Sequence, residues 1–253
     1  MCKPMEASSE RKASTLVLCL GLPGSASTWV YNVCIHLRSL RPSYLVSMGY
    51  SDNAADFLEK LAGADENSAA VVIKSHYADA DMRDYVASRD AKCLLSIRDP
   101  RDCIASLMER FGESFDAALI NVKASCDAVM RFCRPGMPGA LLLRYEDGFF
   151  LSPQVLTLLW QYLAPSEEVD LSALGGRFTQ ESVTRFIATF GLLDPARLVM
   201  RGRDVSDTVT HWHRSHFGDG KSGKWRSRLS SAQQDEANRT LLAALHAFGY
   251  AVA

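Results

Sequence analysis

"TLVLCLGLPGSASTWVYNV", residues 15–33, reads as a strand, a tight turn and the opening of a helix. The first seven residues are continuously apolar, the pattern of a strand buried on both faces. Gly21 and Gly24 then frame a short loop that carries the hydroxyls of Ser25, Ser27 and Thr28. Behind it Trp29, Val33 and Leu37 recur at helical spacing. Backbone amides at such a turn, together with the N-terminus of the helix, can hold an anion without a charged side chain. The loop itself contains no lysine.

Working outward, "SYLVSMG" (43–49), "AAVVIKS" (69–75), "CLLSIRD" (93–99) and "ALLLRYE" (140–146) are further short strands by the same criterion. Helical spacing separates them over roughly 28–40, 53–62, 80–88, 100–110 and 114–134. Strands that alternate with helices predict an α/β fold, with a central parallel sheet flanked by helices and right-handed crossovers. After residue 150 the strand signal stops and the chain reads as largely helical. Helices are expected at 153–164, at 179–191 with a partial capping box from Thr179 to Ser182, and at 230–249 between a Ser230 cap and Gly249. Residues 192–229 read as irregular. The polar, mixed-charge segment 1–14 is expected to be a disordered lead-in to one domain spanning 15–253.

The whole chain sets limits on function. Its 253 residues are 47% apolar and 23% charged, ordinary for a globular protein with a sizeable core. A net charge of −1 argues against bulk electrostatic binding of nucleic acid or an anionic membrane, so an anion site must be built locally. No apolar stretch approaches the ~20 residues of a membrane span. Seven cysteines (2, 19, 34, 93, 103, 126 and 133) form no CxxC pair and several sit in apolar runs. They read as reduced core residues of a cytoplasmic protein.

Four segments fall at or beyond the carboxyl ends of the expected strands, where open parallel sheets bind ligands. The first is the opening loop. A Walker A loop, GxxxxGK[ST], laid on Gly21 meets Ala26, Ser27 and Thr28, so the final hydroxyl fits while the Gly and Lys are missing. The second, "IKSHY", places Lys74 and His76 two apart on a strand, hence on one face. The third, "IRDPRDCIASL", ends a strand at Arg98, caps a helix with Asp99 and Pro100, and carries Ser106 two turns along it. Arg101 and Asp102 read as a local charge network. The fourth, "HWHRSHFGDGKSGKWRSR" (211–228), is glycine-rich and lies in a basic stretch: 201–228 holds seven Lys or Arg against three Asp. Its H-x-H-x-x-H run lacks an interleaved Cys or Glu, and the neighbouring cations would repel a dication, so no metal is expected.

Together the four segments resemble the PAPS-dependent sulfotransferase family. "LPGSASTW" resembles its 5′-phosphosulfate loop YPKSGTTW, and "KSH" resembles KTH. "RDPRDCIAS" resembles RNPKDVAVS, with Arg98 and Ser106 at the family's spacing of eight. "GDGKSGKWRSRLS" resembles the terminal RKGxxGDWKN segment through Gly220, Gly223, Trp225 and Arg226, and "RYED" (144–147) is a further family-like stretch. The resemblance implies a P-loop-like α/β fold, PAPS as sulfonate donor, PAP as product and no metal. It implies that Gly24, Ser25, Ala26, Ser27 and Thr28 hold the 5′-phosphate and sulfonate end of the donor, and that Trp29 stacks on adenine. Arg98 and Ser106 would bind the 3′-phosphate, helped by the backbone and basic side chains of 218–226, including Lys221 and Lys224. His76 would take the proton of an acceptor hydroxyl, and Lys74 would stabilise the transferring sulfonate.

Two positions depart from the family pattern. Gly24 stands where the loop usually has Lys or Arg, with Ala26 in place of its Gly, and Gly218 and Asp219 align with the terminal Arg-Lys pair. Lys74 is the expected replacement for the first charge, and Arg214, His216, Lys221 or Lys224 for the second. Two other functional classes stay open at this point. A P-loop phosphotransferase is disfavoured by the missing lysine and the lack of an hhhhD strand; a PAP(S)-binding protein with impaired transfer is favoured by Gly24. The acceptor, expected to be a small-molecule hydroxyl, would lie against 111–135 and 178–212, where Phe111, Phe115, Phe186 and Phe190 are candidate lining residues. A homodimer stays open as well.

Overall fold

The computed structural model describes residues 15–40, 45–64, 68–89, 91–133, 139–163, 169–201, 204–217 and 220–252. The expected disordered segment 1–14, Ser43 and Tyr44 of an expected strand, and Gly218 and Asp219 lie outside the described residues. Five strands, β1 (Thr15–Gly21), β2 (Leu45–Tyr50), β3 (Ser68–Ser75), β4 (Lys92–Ile97) and β5 (Leu141–Arg144), form one sheet in the order β2-β3-β1-β4-β5. Every pairing in it is parallel, as the alternating pattern predicts.

Helices α1 (Ser27–Ser39), α2 (Ala54–Ala62), α3 (Ala80–Ala87), α4 (Pro100–Phe111) and α5 (Phe115–Phe132) connect these strands. β1 is buried on both sides because helices cover both faces. Leu16, Leu18 and Leu20 join a cluster with Phe57 of α2, Met82 of α3 and Phe132 of α5. Val17 and Cys19 join a second one with Trp29 and Leu37 of α1 and with Trp160 of α6 (Gln154–Leu163). The period-2 alternation of side chains across a strand thus serves two cores at once.

Local chemistry sets the helix ends. Asn53, Asp79, Ser114 and Thr179 each accept a backbone N–H in the first turn of the helix that follows. Asp99 caps α4 by accepting from Arg101 N, and Pro100 occupies its first position. Beyond β5 the chain continues through a short α7 (Ser172–Gly175), α8 (Gln180–Ala188), α9 (Trp225–Arg228), α10 (Ser231–Thr240) and α11 (Leu242–Ala247). Two expectations need correction here. Residues 230–249 form two helices rather than one, although Leu241 N→Ala237 O and Leu245 N→Leu241 O, both 2.9 Å, carry hydrogen bonding through the kink. Strands also reappear after residue 150: β6 (Leu198–Arg201) and β7 (Asp204–Asp207) pair antiparallel in a separate two-stranded sheet.

β1 lies between β3 and β4, and the crossover leaving β1 runs to β2 at one edge while that leaving β4 runs to β5 at the other. The loop after β1 therefore sits at the topological switch point, above the carboxyl ends of the sheet. Among the described residues no helix is long and apolar enough to cross a membrane. The six described cysteines are free; five are buried, and Cys133 is exposed.

Candidate active site

Close backbone approach shapes the loop after β1. A Cβ at Gly21 would lie 2.0 Å from Ser96 Oγ, so only glycine fits beside β4 there. Leu22 N donates to Ser96 O at 3.0 Å, and Ser25 N donates to Leu22 O at 3.1 Å, closing a turn. Gly24 has φ +77°, the left-handed region that favours glycine. Ala26, the N-cap of α1, has φ +63° without being glycine. The hydroxyl of Ser25 points inward, donating to Leu22 O at 2.7 Å and sharing a 2.9 Å hydrogen bond with Ser96 Oγ. Ser25 thus anchors the loop to β4, while Gly24, Ala26, Ser27, Thr28 and Trp29 line a cleft above it. The first turn of α1 carries no acidic side chain, and its leading N–H groups have no intrahelical partner.

β3 brings Lys74 and His76 beside the loop. Asp52 accepts from the N–H groups of His76 (3.1 Å) and Tyr77 (3.3 Å) and so fixes the strand end. His76 Nδ1 is hydrogen-bonded to the Gly21 carbonyl, which can only accept, so Nδ1 carries the proton. Nε2 then presents its lone pair, and Lys74 Nζ donates to it at 2.8 Å. His76 lines the cleft; Lys74 is buried behind it, 5.0 Å from the Tyr50 ring centroid.

Helix α4 supplies the opposite wall. Arg98, at its start, donates from Nη1 to Gly24 O (3.1 Å) and from Nη2 to Lys221 O (2.8 Å), which joins the first loop to the last. Its guanidinium lies over the Tyr145 ring, and its buried Nε has no hydrogen-bond partner. Ser106 lines the cleft directly opposite Gly24. Arg101 and Asp102 do not pair with each other. Arg101 grips Asp99 through two nitrogens, reaches Asn238 and the Ala251 carbonyl, and stacks on Trp225. Asp102 accepts from Gly223 N (2.6 Å) and Trp225 N (2.9 Å), fastening the glycine-rich segment to α4. Burial pushes its carboxyl above the usual carboxylate value, against the pull of those two amides and of Arg98.

The terminal segment divides between the cleft and its support. Gly220 and Lys224 line the cleft, and Lys224 is ion-paired with Glu109. Lys221 contributes its carbonyl to Arg98, and Gly223 its amide to Asp102. Trp225 is buried between the guanidinium groups of Arg101 and Arg226, with Arg226 on the exposed side. The structure therefore gathers Gly24, Ala26, Ser27, Thr28, Trp29, His76, Arg98, Ser106, Gly220 and Lys224 on one cleft. Ser25, Lys74, Lys221, Gly223, Trp225 and Arg226 stand behind or beside it.

Several cleft residues fall outside the expected donor and catalytic residues, although His216 is among the expected replacements for the second missing charge. Arg110 follows Ser106 by one turn of α4, and its Nε donates to Ser215 O at 2.9 Å. Trp212, His213, His216 and Phe217 bring the middle of the 211–228 segment to the same wall, where His213 packs on Phe111. Burial first, then Arg110, His213 and Lys74, push His216 well below the ordinary histidine value. Its Nδ1 has no hydrogen-bond partner. Tyr145, inside the "RYED" stretch, also faces the cleft, while Arg144 bonds to Phe248 O and Glu146 holds Asp99 N and Tyr250 OH. Of the four candidate phenylalanines only Phe111 lines the cleft; Phe115, Phe186 and Phe190 pack in the cores. No group of three or more His, Cys, Asp or Glu suited to a metal occurs among the described residues.

An open parallel sheet with a ligand cleft over the switch point defines a P-loop-like α/β protein. The chain belongs to the sulfotransferase domain family, whose model matches residues 15–249. Its fold is similar to that of mouse sulfotransferase SULT7A1, solved with PAP: TM-score 0.63, 14% identity, 96% of this chain and 95% of that one. It is also similar to retinol dehydratase, solved with androsterone and the inactive cofactor PAP: TM-score 0.56, 14% identity, 93% of this chain and 81% of that one. No curated protein sequence matches the chain.

Proposed function

We propose that this protein transfers a sulfonate from PAPS to a hydroxyl group of a small-molecule acceptor, with His76 as the base. The observation that carries this reading is the tautomer of His76. With Nδ1–H committed to Gly21 O, the basic Nε2 is presented at the cleft, beside the loop that would hold the donor.

The cleft suits a nucleotide bearing two phosphate groups. The amides and hydroxyls of Ser27 and Thr28 and the N-terminus of α1 form one anion site. Arg98, with its unpartnered buried Nε, and Ser106 form another. Trp29 is held edge-on by Phe149 and Phe178, with Nε1 donating to Phe178 O at 3.0 Å, so one indole face is fixed for a flat base. When bound, PAPS supplies an activated sulfonate whose sulfur accepts an in-line oxygen nucleophile.

The chain's own groups do the rest. Lys74 Nζ donates to His76 Nε2 at 2.8 Å, so in the reaction Lys74 turns from that lone pair to the transferring sulfonate and leaves Nε2 to take the acceptor's proton. A neutral alcohol is otherwise a poor nucleophile, and Lys74 stabilises the charge on the sulfonate. Trp212, Phe217 and Phe111 offer an apolar, aromatic wall to the acceptor and exclude water. The buried free thiols support work in a reducing compartment such as the cytoplasm. The test is incubation with PAPS and a panel of alcohols, phenols and amines, with mass spectrometry for an added sulfonate. Tight PAP binding without transfer to any acceptor would leave a donor-binding protein instead, and tighter binding of ATP with magnesium would favour a phosphotransferase.

A further inference from the structure

Gly24 leaves the anion loop without a side-chain cation, and the structure shows where such a side chain would run. A Cβ on Gly24 would meet Ser106 Oγ at 3.3 Å and Arg98 Nη1 at 3.8 Å, so it would point at the cleft face of α4. Arg110 lies four residues beyond Ser106 on that face, the spacing at which helical side chains are neighbours.

The other cations of this wall are already committed. Arg98 spends both terminal nitrogens on the carbonyls of Gly24 and Lys221, and Lys224 is paired with Glu109. Arg110 differs. Its Nε is tied to Ser215 O, and no acidic side chain lies within ion-pair distance of its guanidinium among the described residues. Asp204 is near enough to favour the charge, but it accepts from Ser215 N, Ser215 Oγ and Val205 N. Burial lowers Arg110 to about 10, which leaves it cationic at neutral pH. A largely desolvated charge without a counter-ion is costly to hold unless a ligand completes it.

Arg110 is one turn further along α4 than Ser106 and lines the same cleft as Ser27, Thr28 and His76. The glycine-rich segment is fastened near the start of α4, through Arg98 and Asp102.

We propose that Arg110 supplies the cation the loop lacks at Gly24, reaching across from α4 to the 5′-phosphate end of the donor. This rests on the sulfotransferase reading above. It relocates the charge from the loop to the facing helix, so Gly24 need not mean an impaired enzyme.

Calorimetry with PAP and with adenosine 3′-monophosphate, which lacks the 5′-phosphate, separates the two ends. Arg110→Gln is expected to weaken PAP by about tenfold or more while leaving adenosine 3′-monophosphate within about twofold, the loss of one charge-assisted hydrogen bond. Arg110→Lys should retain most of the PAP affinity, and adding Gly24→Lys to Arg110→Gln should restore part of it. A thermal melt of each variant shows whether it folds; if the double variant does not, Arg110→Lys against Arg110→Gln still decides the matter. Equal losses on both ligands, or no loss on PAP, overturn the assignment. So does a change confined to the acceptor KM, which would make Arg110 an acceptor contact. Wild-type protein that binds no PAP would sink the sulfotransferase reading itself, a distinct result.

Discussion

Lys74 Nζ stands 2.8 Å from His76 Nε2, on the imidazole edge opposite the one bound to Gly21 O. A lysine beside an imidazole nitrogen at the end of β3 ties the ammonium and the ring proposed as the base into one unit. Alanine at His76 is therefore expected to abolish transfer to an alcohol, with PAP affinity within a few-fold of wild type. Alanine at Lys74 should lower kcat by ~100-fold or more, the effect of losing one transition-state donor. Steady-state kinetics with calorimetry in parallel checks both. A His76→Ala enzyme that still turns over would pass the base role to another group, and His216, with its unpartnered Nδ1, is the next to replace.

Asp102 is predicted to act at a distance from the chemistry, through the segment it holds. Its carboxylate receives the amides of Gly223 and Trp225, so Asp102→Ala strands the buried Trp225 donor at a cost of about 1–3 kcal/mol and leaves the half-buried Gly223 donor to water. Thermal stability should fall, and limited proteolysis should accelerate near 220–224. PAP affinity should drop as well, because Arg98 holds its geometry partly through Lys221 O. Unchanged proteolysis in this variant would show that the segment is held by other contacts.

Ala26 carries a left-handed backbone, φ +63°, at the turn into α1. An L-residue pays about 1–2 kcal/mol there, against roughly 0.4–1 kcal/mol for the extra unfolded-state freedom of glycine. Ala26→Gly should thus raise Tm by about 2 °C in a protein of this size, with the cleft unchanged. A lower Tm would mean that the Ala26 methyl group, which packs beside the second core, outweighs the strain.

Much of this architecture is legible in the sequence because the fold rests on local signals. Continuous apolar runs mark β1, β3 and β4, and Asp99–Pro100 marks the start of α4. The loop after β1 and the positions of His76, Arg98 and Ser106 follow from those elements. What escaped depends on long-range packing. Arg110 looks like an ordinary solvent-facing residue near a helix end; only the fold of 204–217 over it reveals a cleft position. The β6–β7 hairpin is four residues a side and has no long alternation to announce it. Arg101 and Asp102 read as a local charge network, and Arg101 does pair with nearby Asp99; their further partners, Asn238, Gly223 and Trp225, lie more than a hundred residues away and leave no local signal.

His216 gives the fold a pH dependence with a definite sign. Its imidazole is pushed well below the ordinary value of 6.5 by burial, with Arg110, His213 and Lys74 adding to the shift. The unfolded chain therefore binds a proton near pH 6.5 that the folded protein refuses until the pH is lower. Stability must rise with pH across that window and fall as the solution is acidified below about 6.5. His36 on α1 is shifted the same way by burial, so the two act together. Replacing His216 with Phe, which cannot titrate and fits the ring contacts to Trp212 and Phe217, should flatten part of the Tm slope between pH 5 and 7. The remaining slope should then follow His36. If the His216→Phe and wild-type curves run parallel, the imidazole takes up its proton in the folded state as readily as in the unfolded chain, and the cleft wall around it is wetter than its packing implies.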